Sequence, residues 1–240
     1  MVKIIIKKII YMVLLICLIN SIYSYSQSNR LFIIKNITFD GNNYVSANEL
    51  RNQIFQDNEN NIFSYDIKEL EKKIQNISPF IKNVQIDIII PGKIHINILE
   101  REPIALIVDN NNSFFIDSFN QILPVNSKSI NYYPVPILNI KINEEWDAGN
   151  SSIQLIKYLI ENYFSLYQDL SEIEITSKKI TLITDYKTKI FINPNKIFNN
   201  INKLKQFEYS VNGFSQISDH LYIDLQYENQ VVVKEKKKYS

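Results

Sequence analysis

Residues 84–98 read VQIDIIIPGKIHINI, and this stretch decides the fold of the first half of the chain. On both sides of Pro91–Gly92, isoleucine or valine alternates with polar residues over most positions. A repeat of two places successive side chains on opposite faces of a strand, and Pro-Gly is a strong turn signal. The stretch therefore predicts a β-hairpin with one buried face.

Two helices are predicted upstream of this hairpin. Ser46 and Glu49 have the S-x-x-E spacing of a capping box, which predicts a helix that runs to about Phe55. Asp66 and Glu69 repeat the same start signal, and an apolar face at helical spacing follows them.

A strand is predicted before the helices. The segment from Leu31 to Phe39 is rich in isoleucine and phenylalanine, and the run Asp40–Asn43 is a turn signal. The order of elements between residues 31 and 102 is therefore β-α-α-β-β.

The N-terminal segment is predicted to cross a membrane. Residues 9–25 are strongly apolar, and as a helix they span about 26 Å, close to the ~30 Å hydrocarbon core of a bilayer. Lys3, Lys7 and Lys8 precede this stretch. The positive-inside rule then predicts a cytoplasmic tail over residues 1–8, an anchor over residues 9–25 and a body outside the cytoplasm.

A cleaved signal peptide is the alternative for this segment. Ser24–Tyr25–Ser26 imitates, although poorly, the small-x-small pattern of a cleavage site. Both interpretations export the folded body. The single cysteine, Cys17, lies inside the apolar segment, so the body is free of cysteine, which is compatible with an oxidising compartment.

The composition argues against several classes of function. Lys and Arg total 26 and Asp and Glu total 25, so the chain lacks the basic excess of a nucleic-acid binder. Its 4 glycines form no phosphate-binding motif. His95 and His220 have no second histidine at metal spacing. We therefore expect a protein that is not an enzyme and that uses no cofactor, metal, nucleic acid or small-molecule substrate.

The second half of the chain mixes strand and helix signals. Helices are predicted from Ser151 or Ser152 to about Tyr167, and from about Asn195 to Val211. Strands are predicted over residues 104–108, 113–117, 121–125, 173–176, 180–184, 189–192, 221–227 and 230–234. Asn120 lies in a turn and tolerates left-handed backbone geometry. We expect a mixed α/β domain over residues 103–234, with an antiparallel sheet and two helices, and a solvated basic tail over residues 235–240.

Four stretches resemble the bacterial cell-division family FtsQ/DivIB. They are ITFDGN at 37–42, SPFIKNV at 78–84, LEREPIA at 99–105 and YIDLQY at 222–227. The resemblance implies an α+β protein with a single membrane helix, a POTRA domain over residues 31–102 and an FtsQ-type β domain over residues 103–234. Gln226 stands where the family has arginine.

The last predicted strand is the candidate binding site. An edge strand presents unpaired N–H and C=O groups to which a partner can add a strand. In the family, the final strands bind the extracytoplasmic part of FtsB in complex with FtsL. Carried over to this chain, the partner-binding positions are Tyr227, Asn229, Gln230, Val232 and Val233. The alternative is that Tyr227 and the valines close the hydrophobic core.

The resemblance implies a non-catalytic scaffold of the division complex. Such a protein sits in the inner membrane at the septum, binds FtsB/FtsL-like partners and links them to the septal peptidoglycan synthase. Its POTRA domain meets other partners through the first strand or a hairpin strand. A POTRA-containing component of outer-membrane assembly or secretion is the alternative. Trp146, the single tryptophan, is either a loop anchor or a partner contact.

Overall fold

The computed structural model describes residues 2–28, 30–54, 61–108, 112–140, 147–176 and 178–237. Trp146, the predicted helix end at Phe55 and the last residues of the basic tail, 238–240, lie outside the described residues. The chain divides into two compact units, Met1–Arg101 and Glu102–Ser240.

The chain begins with one continuous helix, α1, over Val2–Ser28. Its segment Ile5–Ser26 has a mean hydropathy of 2.1, and none of it is buried. Its 22 residues correspond to about 33 Å of helix, enough to cross a hydrocarbon core of ~30 Å. Among the described residues, α1 is the one helix with this length and apolar character.

The remainder of the first unit has the predicted β-α-α-β-β order. Its elements are β1 (Asn36–Asp40), α2 (Ala47–Ile54), α3 (Ile67–Gln75), β2 (Ile81–Ile89) and β3 (Lys93–Glu100). The sheet order is β1-β3-β2, so β3 is central. β1 runs parallel to β3, whereas β2 runs antiparallel to it.

The first strand starts later than predicted, at Asn36 instead of Leu31. Residues Arg30–Phe32 form a 3₁₀ turn, and Ile33 makes an isolated bridge to Asn61. The backbone groups of residues 30–33 therefore form hydrogen bonds outside the three-stranded sheet. The apolar composition of residues 31–39 gave no sign of this difference.

The hairpin buries one face, as its repeat of two predicts. The buried residues are Val84, Ile86, Ile94, Ile96 and Ile98, and they alternate with exposed or half-buried polar side chains. The predicted helix starts are also confirmed. The Ser46 hydroxyl accepts a hydrogen bond from the Glu49 amide, and the Asp66 carboxylate accepts bonds from the amides of Lys68 and Glu69.

Gly41 ends β1 in a backbone conformation that other residues avoid. Its φ is 76°, and a Cβ at this position would lie 2.1 Å from the carbonyl oxygen of Ile98. The turn after β1 therefore passes against the backbone of β3 at a distance that only glycine allows.

Nine strands form a single sheet in the described part of the second unit. They are β4 (Pro103–Val108), β5 (Ser113–Asp117), β6 (Ile122–Pro124), β7 (Ile137–Ile140), β8 (Leu170–Ile175), β9 (Ile180–Thr184), β10 (Lys189–Ile192), β11 (His220–Asp224) and β12 (Val232–Glu235). Their order is β12-β11-β10-β9-β8-β7-β4-β5-β6. Asn120 in the β5–β6 turn has a φ of 64°, the left-handed geometry expected of it.

The prediction of an antiparallel sheet is wrong in part, because three strand pairs are parallel. These pairs are β4 with β7, β7 with β8, and β10 with β11. In two of them a helical crossover returns the chain to the end from which it started, which makes the paired strands parallel. These crossovers contain α5 (Asp147–Asn162) and α6 (Phe164–Gln168) between β7 and β8, and α7 (Ile197–Val211) between β10 and β11.

The helix count in this unit also differs from the prediction. A short helix, α4 (Ser127–Tyr132), follows β6, and the helix predicted to end near Tyr167 is divided into α5 and α6. The first of these begins at Asp147, ahead of the predicted caps at Ser151 or Ser152. Ile156 and Leu159 of α5, and Ile201 and Leu204 of α7, are fully buried in one core with the inner face of the sheet.

Candidate partner-binding edge

The candidate site is the end of the long sheet at which β12 lies. Within the described residues, β12 pairs with β11 alone, and β6 occupies the opposite edge. The strand predicted over residues 230–234 spans Val232–Glu235 in the structure, so it begins two residues later and ends one residue later than predicted. Its other long side is unpaired in the part of the chain that the structure describes.

The two predicted valines of β12 lie on opposite faces of the sheet. Val233 pairs with Ile223, which is fully buried against the helices, while Val232 pairs with Asp224 on the other face. Val233 is 37% exposed and Val232 is half-buried. Neither valine is fully buried, which is typical of a strand with a neighbour on one side only.

The other three predicted positions lie in the turn between β11 and β12. Tyr227 is 51% exposed, and Asn229 and Gln230 are exposed as well. The prediction that β11 continues to Tyr227 is wrong, since the strand ends at Asp224. The Asp224 side chain accepts a hydrogen bond from the Gln226 amide at 3.0 Å, a local bond that competes with the sheet.

Two lysines of the α7 region hold this turn. Lys203 Nζ donates to the carbonyl oxygen of Leu225 at 3.1 Å and also to that of Tyr227. Lys196 forms an ion pair with Glu228, and this hydrogen bond and charge hold the pKa of the Glu228 carboxyl below its ordinary value. The turn that carries Tyr227 is therefore anchored to the helix through its backbone as well as through a side chain.

An open groove of about 750 Å³ separates α7 from the turn. Its lining is mainly amide and hydroxyl side chains, with one lysine, one acid and two apolar residues: Asn199, Asn202, Lys203, Gln206, Phe207, Ser210, Glu228, Asn229, Gln230 and Val231. Sequence reasoning missed the α7 side of this groove. The polar residues Asn199, Lys203, Gln206 and Ser210 recur at helical spacing and were the available signal.

The two histidines lie in different units and have different neighbours. His95 contacts Thr38 Oγ1 at 2.9 Å on the outer face of the first sheet, and His220 is buried beside the ring of Phe207. No group of three His, Cys, Asp or Glu side chains in the described ranges is placed to hold a metal ion.

The Glu-Arg-Glu run at the end of β3 has a structural partner that sequence reasoning did not foresee. The Glu100 carboxylate accepts hydrogen bonds from three successive amides, those of Asn43, Tyr44 and Val45, at 3.1, 2.7 and 2.8 Å. The turn after Gly41 directs its N–H groups at this one carboxylate, which therefore makes more contacts than an isolated surface ion pair.

The described chain combines a candidate membrane helix, a β-α-α-β-β unit and a long sheet with an open terminal edge, which is the architecture of a POTRA-containing protein. The family model "POTRA domain, FtsQ-type" matches residues 32–101, and the model "FtsQ/DivIB, C-terminal related" matches residues 102–234, more than half of the chain. The chain belongs to the FtsQ/DivIB family of bacterial cell-division proteins.

Individual relatives are distant. The cell division protein FtsQ of Koribacter versatilis (strain Ellin345) is 21% identical over 160 residues, which are 65% of this chain and 46% of that protein. The chain thus spans about half the length of this curated relative. The major extracytoplasmic domain of the trans isomer of DivIB from Geobacillus stearothermophilus aligns at 12% identity and a TM-score of 0.32, over 49% of this chain and 98% of that domain.

The family is one of non-catalytic cell-division proteins. The part of the chain that the structure describes has one candidate membrane helix.

Proposed function

We propose that this protein is a non-catalytic scaffold of the division complex that binds FtsB/FtsL-like partners at β12 and links them to septal peptidoglycan synthesis. The observation that carries the proposal is the position of β12 at the end of the nine-strand sheet. The family assignment favours this function over that of an outer-membrane assembly component.

Strand addition is the mode of binding that this edge supports. A partner segment that pairs with β12 gains main-chain hydrogen bonds, while its alternate side chains contact the two faces of the sheet. Val232 and Val233 offer it one apolar contact on each face. The turn just before β12 adds an aromatic ring and two amide side chains, from Tyr227, Asn229 and Gln230.

The hydrogen bonds that hold the β11–β12 turn lower the entropy cost of partner binding. Lys203 fixes the carbonyl groups of Leu225 and Tyr227, and Lys196 fixes Glu228, before any partner is present. A site that is ordered in advance loses less conformational entropy on binding. The groove beside α7 offers further hydrogen-bonding side chains to a partner that extends beyond the strand.

The membrane topology in this proposal follows from charge. Lys3, Lys7 and Lys8 cluster at the N-terminal end of α1, so the N-terminus is cytoplasmic and both folded units are extracytoplasmic. At the septum, an uncleaved α1 keeps β12 within reach of membrane-bound partners. The function requires no cofactor, metal or small-molecule substrate.

Substitution of Tyr227 by aspartate tests the proposal directly. Because partner binding buries the ring, a charge at this position should weaken capture of the purified FtsB-like partner by about tenfold or more. Ile122→Asp is the matched control, since Ile122 is 53% exposed on β6, the opposite edge of the same sheet.

Circular dichroism should show that both variants are folded. Undiminished capture by a folded Tyr227→Asp variant, or an equal loss in Ile122→Asp, would contradict the assignment of the partner to β12.

A further inference from the structure

The β2–β3 turn of the first unit carries an exposed apolar tip. Ile89 and Ile90 are 46% and 63% exposed, and Pro91 beside them is also exposed. These two side chains lie outside the core of the unit, to which the same hairpin contributes the fully buried Ile94 and Ile96. Neighbouring exposed apolar residues at a hairpin tip indicate a site that contacts another apolar surface.

This tip lies against the segment that leaves the membrane-spanning helix. The carbonyl oxygen of Gly92 accepts hydrogen bonds from the amides of Lys35 at 2.8 Å and Asn36 at 3.3 Å. A Cβ on Gly92 would lie 2.3 Å from the carbonyl oxygen of Ile33, so the two backbones are in direct contact. Because β1 and β3 are parallel, the tip and the start of β1 share one end of the sheet.

This end of the sheet is also connected to the last turn of the apolar segment of α1. The Asn61 side chain donates a hydrogen bond to the carbonyl oxygen of Ser26 at 2.8 Å, and Asn61 also bridges to Ile33. Ser26 is the last residue of the apolar stretch. Two strand spacings, about 10 Å, therefore separate Asn61 from Gly92, and Ile89 on β2 lies one further spacing away, at about 15 Å. The headgroup layer on each side of the hydrocarbon core is itself ~6 Å thick.

The charges and aromatic residues at this end fit a lipid surface. Arg30 and Lys35 are exposed, and Lys93, which pairs with Ile89, is half-buried. Tyr23 and Tyr25 at the end of the helix are 60% and 66% exposed, where interfacial tyrosines are favoured. Leu31, 57% exposed, adds a further apolar side chain. Apolar side chains next to cations are the arrangement that binds the boundary between headgroups and acyl chains.

We infer that the β2–β3 tip is a second membrane contact, in which Ile89, Ile90 and Leu31 enter the interface of the bilayer that α1 crosses. Arg30, Lys35 and Lys93 bind its anionic headgroups. Together with α1, this contact fixes the orientation of the first unit at the membrane. The inference requires that α1 spans the membrane and is independent of partner binding at β12.

The test uses the full chain in lipid vesicles. In a Cys17→Ser background, a nitroxide is attached to Ile90→Cys and, in a separate variant, to Asn83→Cys. Asn83 is exposed on β2, seven residues or about 24 Å from Ile90, so it is a matched control away from the tip. Collision of each label with oxygen, which enters lipid, and with a water-soluble nickel chelate is measured by electron paramagnetic resonance.

At position 90 we expect several-fold lower exposure to nickel and higher exposure to oxygen than at position 83. The difference should be larger in vesicles of phosphatidylcholine with phosphatidylglycerol than in phosphatidylcholine alone, because the flanking side chains are cationic. Introduction of Lys35→Glu should weaken this lipid dependence, because it replaces one of the three cations by an acid.

Three results would overturn the inference. The first is equal nickel exposure at positions 90 and 83 in vesicles. The second is low nickel exposure at position 90 without the higher oxygen exposure, which would make the shielding intramolecular. The third is shielding that develops only when a division protein is added, which would make the tip a protein-binding site.

Discussion

Replacement of Glu100 by alanine should loosen the turn between β1 and α2. The carboxylate accepts bonds from the amides of Asn43, Tyr44 and Val45. Tyr44 and Val45 are 7% and 2% exposed, so water cannot readily replace the lost acceptor, whereas the amide of the exposed Asn43 can be rehydrated. At about 1–3 kcal/mol for each buried donor, the loss for two donors is about 3 kcal/mol.

Hydrogen–deuterium exchange of the full chain measures this loss locally. A change of about 3 kcal/mol in local opening corresponds to roughly hundredfold faster exchange at residues 43–45. Glu100→Gln keeps one acceptor oxygen and should give an intermediate rate. Glu102→Ala is the matched control, since Glu102 is an exposed acid of the same run and its removal should change stability by less than ~0.5 kcal/mol.

Unchanged protection of residues 43–45 in Glu100→Ala would refute the reasoning, and so would equal acceleration in Glu102→Ala. In either case the Glu-Arg-Glu run would have no role in ordering this turn.

Two further predictions concern backbone geometry and pH. Gly41→Ala should lower the free energy of unfolding by about 3 kcal/mol or more, against about 1 kcal/mol for Gly213→Ala. Both glycines have positive φ, but an added Cβ collides with backbone only at Gly41, so equal losses in urea unfolding would contradict the prediction. Burial and the charge of Glu102 raise the pKa of Tyr167 to about 12. Neutral Tyr167 therefore contributes stability that is intact below pH ~10 and is lost as pH rises towards ~12. The loss should be smaller in Tyr167→Phe, in which Tyr163, whose pKa burial also raises, still contributes.

Much of the local structure could be predicted because its causes are local. The capping residues Ser46 and Asp66, the repeat of two in the hairpin and the left-handed Asn120 act through neighbours within a few positions. For the same reason β5, β9 and β10 have the predicted bounds.

The candidate site was predictable only in part. The valines at 231–233 were enough to predict a strand near this site, because β-branched residues favour strands. The lysines that hold the turn could not be predicted, because Lys203 meets Leu225 and Tyr227 only after the helix has packed across β10 and β11. The strand ends at Asp224, whose side chain accepts a hydrogen bond from the Gln226 amide, a local contact that the strand-like pattern of residues 221–227 did not reveal.

The sequence by itself determined that a long apolar helix precedes a β-α-α-β-β unit and a second unit rich in strands. Periodicity and capping suffice for that, since they are read along the chain. The tertiary structure alone decided that three strand pairs are parallel, that the Glu100 carboxylate meets three amides from the turn after β1, and that the Ile89–Pro91 tip lies beside the exit of α1. Each of these joins residues far apart in sequence, and only the packing of the elements determines which of them meet.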